Sequence, residues 1–170
     1  MARGSAPTIR FDMKLVWLTG LAALALLLGL AGWLWGLRPG IVQLQLAFTP
    51  RAFGEIVHAW SPVQLERYRV QLWVDGLLLL SYGAFGWLLV GRTLLFARSS
   101  RWVTGLARWA LPVAAVFDAT ENVLHFWLTA APRFGVPTVY AVSAGASSIK
   151  WLLLLCFGAL VVHALARAQD

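Results

Sequence analysis

The chain has 170 residues, of which 60% are hydrophobic and only 12% charged, more apolar surface than one small soluble core can hide. Its net charge of +7 and pI near 10.8 come from basic residues scattered over tails and loops. They form no stripe interleaved with stacking aromatics, which argues against nucleic acid as a partner. One cysteine, Cys156, excludes a disulfide framework or a thiolate metal site built from a single chain.

Arg3, Arg10 and Lys14 precede an apolar run over residues 15–37. That layout resembles a signal peptide, but the run exceeds the roughly 7–15 residues of a secretory core, and no small-x-small site follows. An uncleaved first span is expected. Three more stretches, 71–90, 103–129 and 138–165, are long enough for about 30 Å of hydrocarbon. The fold class expected is therefore all-α: a polytopic integral membrane protein, with a four-transmembrane-helix bundle in a single domain over residues 1–170.

With four spans, Arg3, Arg10, Lys14, Arg92, Arg98, Arg101 and Arg167 share one side, and Arg38, Arg51, Arg67, Arg69 and Arg133 the other. The excess on the first side places both termini in the cytoplasm, in the manner of a bacterial inner-membrane protein. Trp17, Trp87, Trp102 and Trp109 then fall near inner ends, and Trp33, Trp35, Trp73 and Trp127 near outer ends, as amphipathic rings prefer. Trp60 and Trp151 belong to neither belt.

The connection over residues 38–70 becomes an extracytoplasmic loop containing short helices. Residues 41–48 alternate apolar and polar and read as a short extended segment. Thr49-Pro50 has the form of an N-cap and first-turn proline, opening a helix through Trp60 with Phe53, Ile56, Val57 and Trp60 as its apolar stripe. Ser61-Pro62-Val63-Gln64 repeats the signal with capping-box spacing, and its helix is expected to run into the second span. The loop either lies on the bilayer surface or lids the bundle.

In the third span Asp118, Glu121, Asn122 and His125 fall within an arc of about 100°. That side must face the bundle interior. Two carboxylates at i and i+3 repel when both are ionised, so one keeps its proton or a cation sits beside them. The fourth span offers the cation, because Tyr140, Ser143, Ser147 and Lys150 share a face. Counting in from the outer ends puts Asp118 and Lys150 at one depth, about 18 Å in at 1.5 Å per residue, and an ion pair is expected. The second span adds Asp75, placed near His125 or acting as a helix cap, and Tyr82, near Asp118 and Lys150. A polar cavity open toward the outer face follows.

Intramembrane ionisable groups are costly and commonly functional, although interhelical bonds of this kind also serve as plain glue. Asp118, Glu121 and Lys150 are the candidate catalytic residues, and Asp75, Tyr82, Asn122, His125, Ser143 and Ser147 the candidate ligand contacts. His58 and His163 read as surface residues. Glu121, His125 and Asp118 supply only part of a metal sphere, so no metal is assigned and no cofactor is named. The four-span size, with acids and an asparagine inside a short bundle, resembles the small sterol-binding and sterol-isomerising proteins of the emopamil-binding kind. Residues 15–37 lack the acid those proteins carry in their first span, so their activity is not transferred.

Three functions fit: binding or acting on a lipid-like or small amphipathic molecule, a dimeric small transporter or proton relay, and an accessory subunit of a larger membrane complex. The first is favoured, with membrane lipid as the expected partner and a homo-oligomer left open. Whether the chain is an enzyme is not decided by its residues.

Overall fold

A computed structural model describes residues 9–131 and 133–168, with side chains from Met13 to Arg167 except that of Pro132. Arg3 and the Arg10 side chain, counted above for orientation, lie outside the described residues. The architecture is all-α: α1 (Ile9–Trp33), α2 (Ile41–Gln45), α3 (Pro50–Ala59), α4 (Pro62–Arg92), α5 (Arg101–Ala130) and α6 (Pro137–Ala168). Among the described residues, α1, α4 and α6 are long and apolar enough to cross a membrane, as expected of a multi-pass membrane protein. The fourth long helix, α5, has 30 residues, but its acids, asparagine and histidine lower its mean hydropathy.

The helices start where the local chemistry directs. Thr49 caps α3 by accepting from the Ala52 amide, with Pro50 in the first turn. Ser61 accepts from the Gln64 amide while the Ser61 amide donates to the Gln64 side chain, a closed capping box that opens α4. From there α4 runs unbroken for 31 residues. Ser100 caps α5 by accepting from the Val103 amide. After α1 the chain turns at Gly36, whose φ of 93° suits a residue without Cβ.

Residues 41–48 are not extended. Ile41–Gln45 is a short helix, stabilised at its start by the Gln43 side chain accepting from the Gly40 amide. A run this short cannot separate period two from period 3.6, and Leu44, fully buried, is the residue the helical turn brings inward. The α3 helix also stops at Ala59, one residue before the expected end, and Trp60 caps it in extended conformation.

Packing follows a row, with α1 against α4, α4 against α5 and α5 against α6. Among the described residues, the end members α1 and α6 are not packed along one another. Between α4 and α5 the contact is close, because Gly83, Gly86, Ala107, Ala110 and Ala114 leave little side chain in the way. A Cβ at Gly86 would stand 2.7 Å from the Leu111 Cβ. The outward faces are apolar: Leu18, Leu21, Leu24 and Leu28 on α1, Leu77 and Leu80 on α4, and Leu152 and Leu155 on α6 are exposed, as lipid contact demands. A second buried cluster lies under α2 and α3, where Leu44, Phe53, Val57 and Trp60 meet Tyr68, Leu128 and Tyr140. Ile56 is only partly buried, while His58 and His163 are exposed.

Candidate functional site

The polar residues of α4, α5 and α6 converge where the three helices face one another. The Lys150 ammonium donates to Glu121 at 2.7 Å and to Asp118 at 2.9 Å. Both carboxylates therefore share one cation, and the pair expected between Asp118 and Lys150 is a triad. The second Asp118 oxygen accepts from the Tyr82 hydroxyl at 3.1 Å. Burial makes these contacts obligatory, since Glu121 is 1% exposed and Lys150 3%, and a charge so placed needs both a counter-ion and hydrogen bonds.

Two further pairs flank the triad. The Asn122 amide donates to Asp75 at 2.6 Å, and the Tyr68 hydroxyl is hydrogen-bonded to His125 Nδ1. His125 is 1% exposed, with Phe53 of α3 packed edge-on at 5.4 Å between ring centres. Asp75 is not a helix cap, because α4 begins thirteen residues earlier at Pro62. It lies one turn from His125 in its contacts, bonded to Asn122. His125 also approaches Glu121 at 3.8 Å, so the Tyr68–His125 pair stands beside the hydrogen-bonded series of Glu121, Lys150, Asp118 and Tyr82.

A cavity of about 280 Å³ borders this network. Tyr68, Gln71, Asp75, Leu78 and Tyr82 supply its α4 wall, Asp118 and Asn122 its α5 wall, and Lys150, Trp151 and Leu154 its α6 wall. Leu27 is the contribution of α1, and Gln45 that of α2. Gln45 is bonded to the opposite wall, its side-chain oxygen accepting from the Trp151 indole at 3.1 Å. Of the expected site residues, Asp75, Tyr82, Asp118, Asn122 and Lys150 therefore face the cavity. Glu121 and His125 stand behind that layer, as do Ser143 and Ser147, whose link is a bond from the Ser147 hydroxyl to the Ser143 carbonyl.

No family model, curated protein or solved structure matches the chain.

Three residues at the site carried no sequence-based expectation: Tyr68, Gln71 and Gln45. The first two were legible, because the face holding Asp75 and Tyr82 extends upstream at helical spacing through Gln71 and Tyr68 once α4 is started at its capping box. Gln45 was not, since its role depends on α2 crossing to α6. The two tryptophans outside the belts also have specific partners. Trp60 is buried and donates to the Pro39 carbonyl at 2.9 Å, and Trp151 holds Gln45.

Chemically, the wall presents one ammonium, three carboxylates counting Glu121 behind it, two phenols and three amides. Such a set can bind a polar head group, accept or donate a proton at Asp75 or Asp118, and stabilise negative charge at Lys150. The neighbouring apolar wall of Leu27, Leu78, Trp151 and Leu154 suits the hydrocarbon part of the same molecule.

Proposed function

We propose that this protein spans the membrane four times and binds a lipid-like or small amphipathic molecule in the cavity beside Lys150, with Asp118 and Lys150 as its proton-handling and charge-stabilising groups. Glu121 acts behind them by sharing the ammonium. The observation that carries the reading is a charged, hydrogen-bonded triad that presents Asp118 and Lys150 on the wall of a cavity whose other wall is apolar.

Several features support it. At 1.5 Å per residue, the 30 residues of α5 reach about 45 Å, enough for a fourth crossing, and α5 lies between two helices that are themselves long and apolar enough to cross. Its acids turn toward α4 and α6, away from lipid. With α5 as a span, the α2–α3 segment lies on one side of the bilayer and the α4–α5 link, with Arg92, Arg98 and Arg101, on the other, which favours the arginine-rich link as the cytoplasmic end. Entry from the outer face is narrowed by α2, whose Gln45 reaches Trp151. The gap between α1 and α6, lined by Leu27 and Leu154, offers the ligand a sideways route from the acyl region. An accessory-subunit role is less favoured, because the polar face of α5 is already covered by this chain's own α4 and α6.

The test is mass spectrometry of amphiphiles that copurify with the wild-type protein and with Leu27→Trp, which narrows the gap without touching a polar group. A bound amphiphile near one per chain, depleted by Leu27→Trp, is the expected result. Absence of any stoichiometric amphiphile, or equal amounts in both proteins, would sink the proposal.

A further inference from the structure

Three carboxylates converge on this site, and only one ammonium answers them. Lys150 is shared by Asp118 and Glu121. Asp75, buried like them, has no cation within salt-bridge distance among the described residues; its partners are the neutral side-chain amides of Asn122 and Gln71. One helical turn earlier on the same face stands Gln71, 8% exposed, and its side-chain oxygen has no hydrogen-bond donor. Both residues line the cavity.

Two acceptors thus border one space, on neighbouring side chains at positions i and i+4 of one helix face, one of them anionic and neither paired with a protein cation within salt-bridge distance. A buried acceptor without a donor is a rarity that calls for a partner. A hydroxyl can satisfy one acceptor with its single proton, and a carboxylate can satisfy neither. An ammonium has three N–H donors and a positive charge, so it can bridge Gln71 and Asp75 and neutralise the latter.

We infer that the cavity takes the protonated primary amine of an amphiphile, held between Asp75 and Gln71 while the tail lies along Leu27, Leu78 and Leu154. This deepens the proposed function and rests on it. The amine can belong to a long-chain amine or to the head group of a phospholipid, which present the same donors.

The experiment is native mass spectrometry of the purified full chain in nonionic detergent, titrated with dodecylamine, dodecanol or dodecanoate, probes that share one tail. Dodecylamine is expected to bind at least tenfold tighter than dodecanol, with dodecanoate weakest. Asp75→Asn and Gln71→Leu are each expected to reduce the preference for the amine at least several-fold while dodecanol binding is kept. Equal or tighter binding of dodecanol or dodecanoate by the wild-type protein overturns the inference and leaves the amphiphile reading standing. Failure of all three probes to bind overturns both. If either variant does not fold, the wild-type ranking decides alone. A paired titration with ethanolamine and choline phospholipids locates the source: a preference for ethanolamine supports a lipid head, and dodecylamine binding without it supports a free amine.

Discussion

The Lys150 ammonium lies 2.7 Å from a Glu121 oxygen and closes the far side of the same bridge onto Asp118 at 2.9 Å. Removing the amine leaves two carboxylates facing each other with no counter-charge, whereas removing all three charges leaves a neutral interface. Lys150→Met is therefore expected to destabilise the fold by about 3–5 kcal/mol. The combined Lys150→Met, Asp118→Asn, Glu121→Gln protein should recover most of that loss. Thermal unfolding in detergent reads both; a single mutant as stable as wild type would show that the triad does not hold the helices.

Gly86→Ala should cost about 1–3 kcal/mol, because the new methyl meets the Leu111 Cβ at 2.7 Å, an atom fixed to its backbone. Gly20→Ala is the comparison. Its methyl would meet the edge of the Phe85 ring at 2.9 Å, and a ring can turn aside. The expected order, Gly86→Ala worse than Gly20→Ala in midpoint temperature, reverses if α4 and α5 are not as closely packed as described.

Tyr68→Phe removes a hydroxyl from the buried His125 and should lower stability by about 1–3 kcal/mol, since the ring nitrogen is left unpartnered. The same unfolding assay applies. A neutral result would mean that His125 finds another partner, and α4 and α5 would then not be joined through this contact.

Topology is checked with single cysteines in a Cys156→Ala background. Glu55→Cys and Phe134→Cys should react with a membrane-impermeant maleimide from one side of the membrane, and Ala97→Cys from the other. All three parent residues are exposed. If Phe134→Cys and Ala97→Cys label from the same side, α5 does not cross.

Much of this arrangement could be read from particular residues. Thr49-Pro50 and Ser61 to Gln64 announced α3 and α4 because capping is local chemistry. The meeting of Asp118 with Lys150 followed from depth alone, since two groups at one level in packed helices have few other partners. Residues 41–48 misled, as eight residues do not fix a period. The burial of His125 was not legible, because it depends on Phe53 arriving from a loop. The cavity likewise arises from how α1, α2 and α6 are spaced, a tertiary relation that no single segment encodes.

The order of the triad along the chain has a consequence for biosynthesis. Lys150 is made 32 residues after Asp118 and 29 after Glu121. On the four-span reading, α5 therefore emerges from the ribosome bearing two acids whose counter-ion does not yet exist. Its residence in hydrocarbon becomes secure only when α6 follows, so a nascent chain halted before residue 150 should leave α5 loosely inserted and open to quality-control proteolysis.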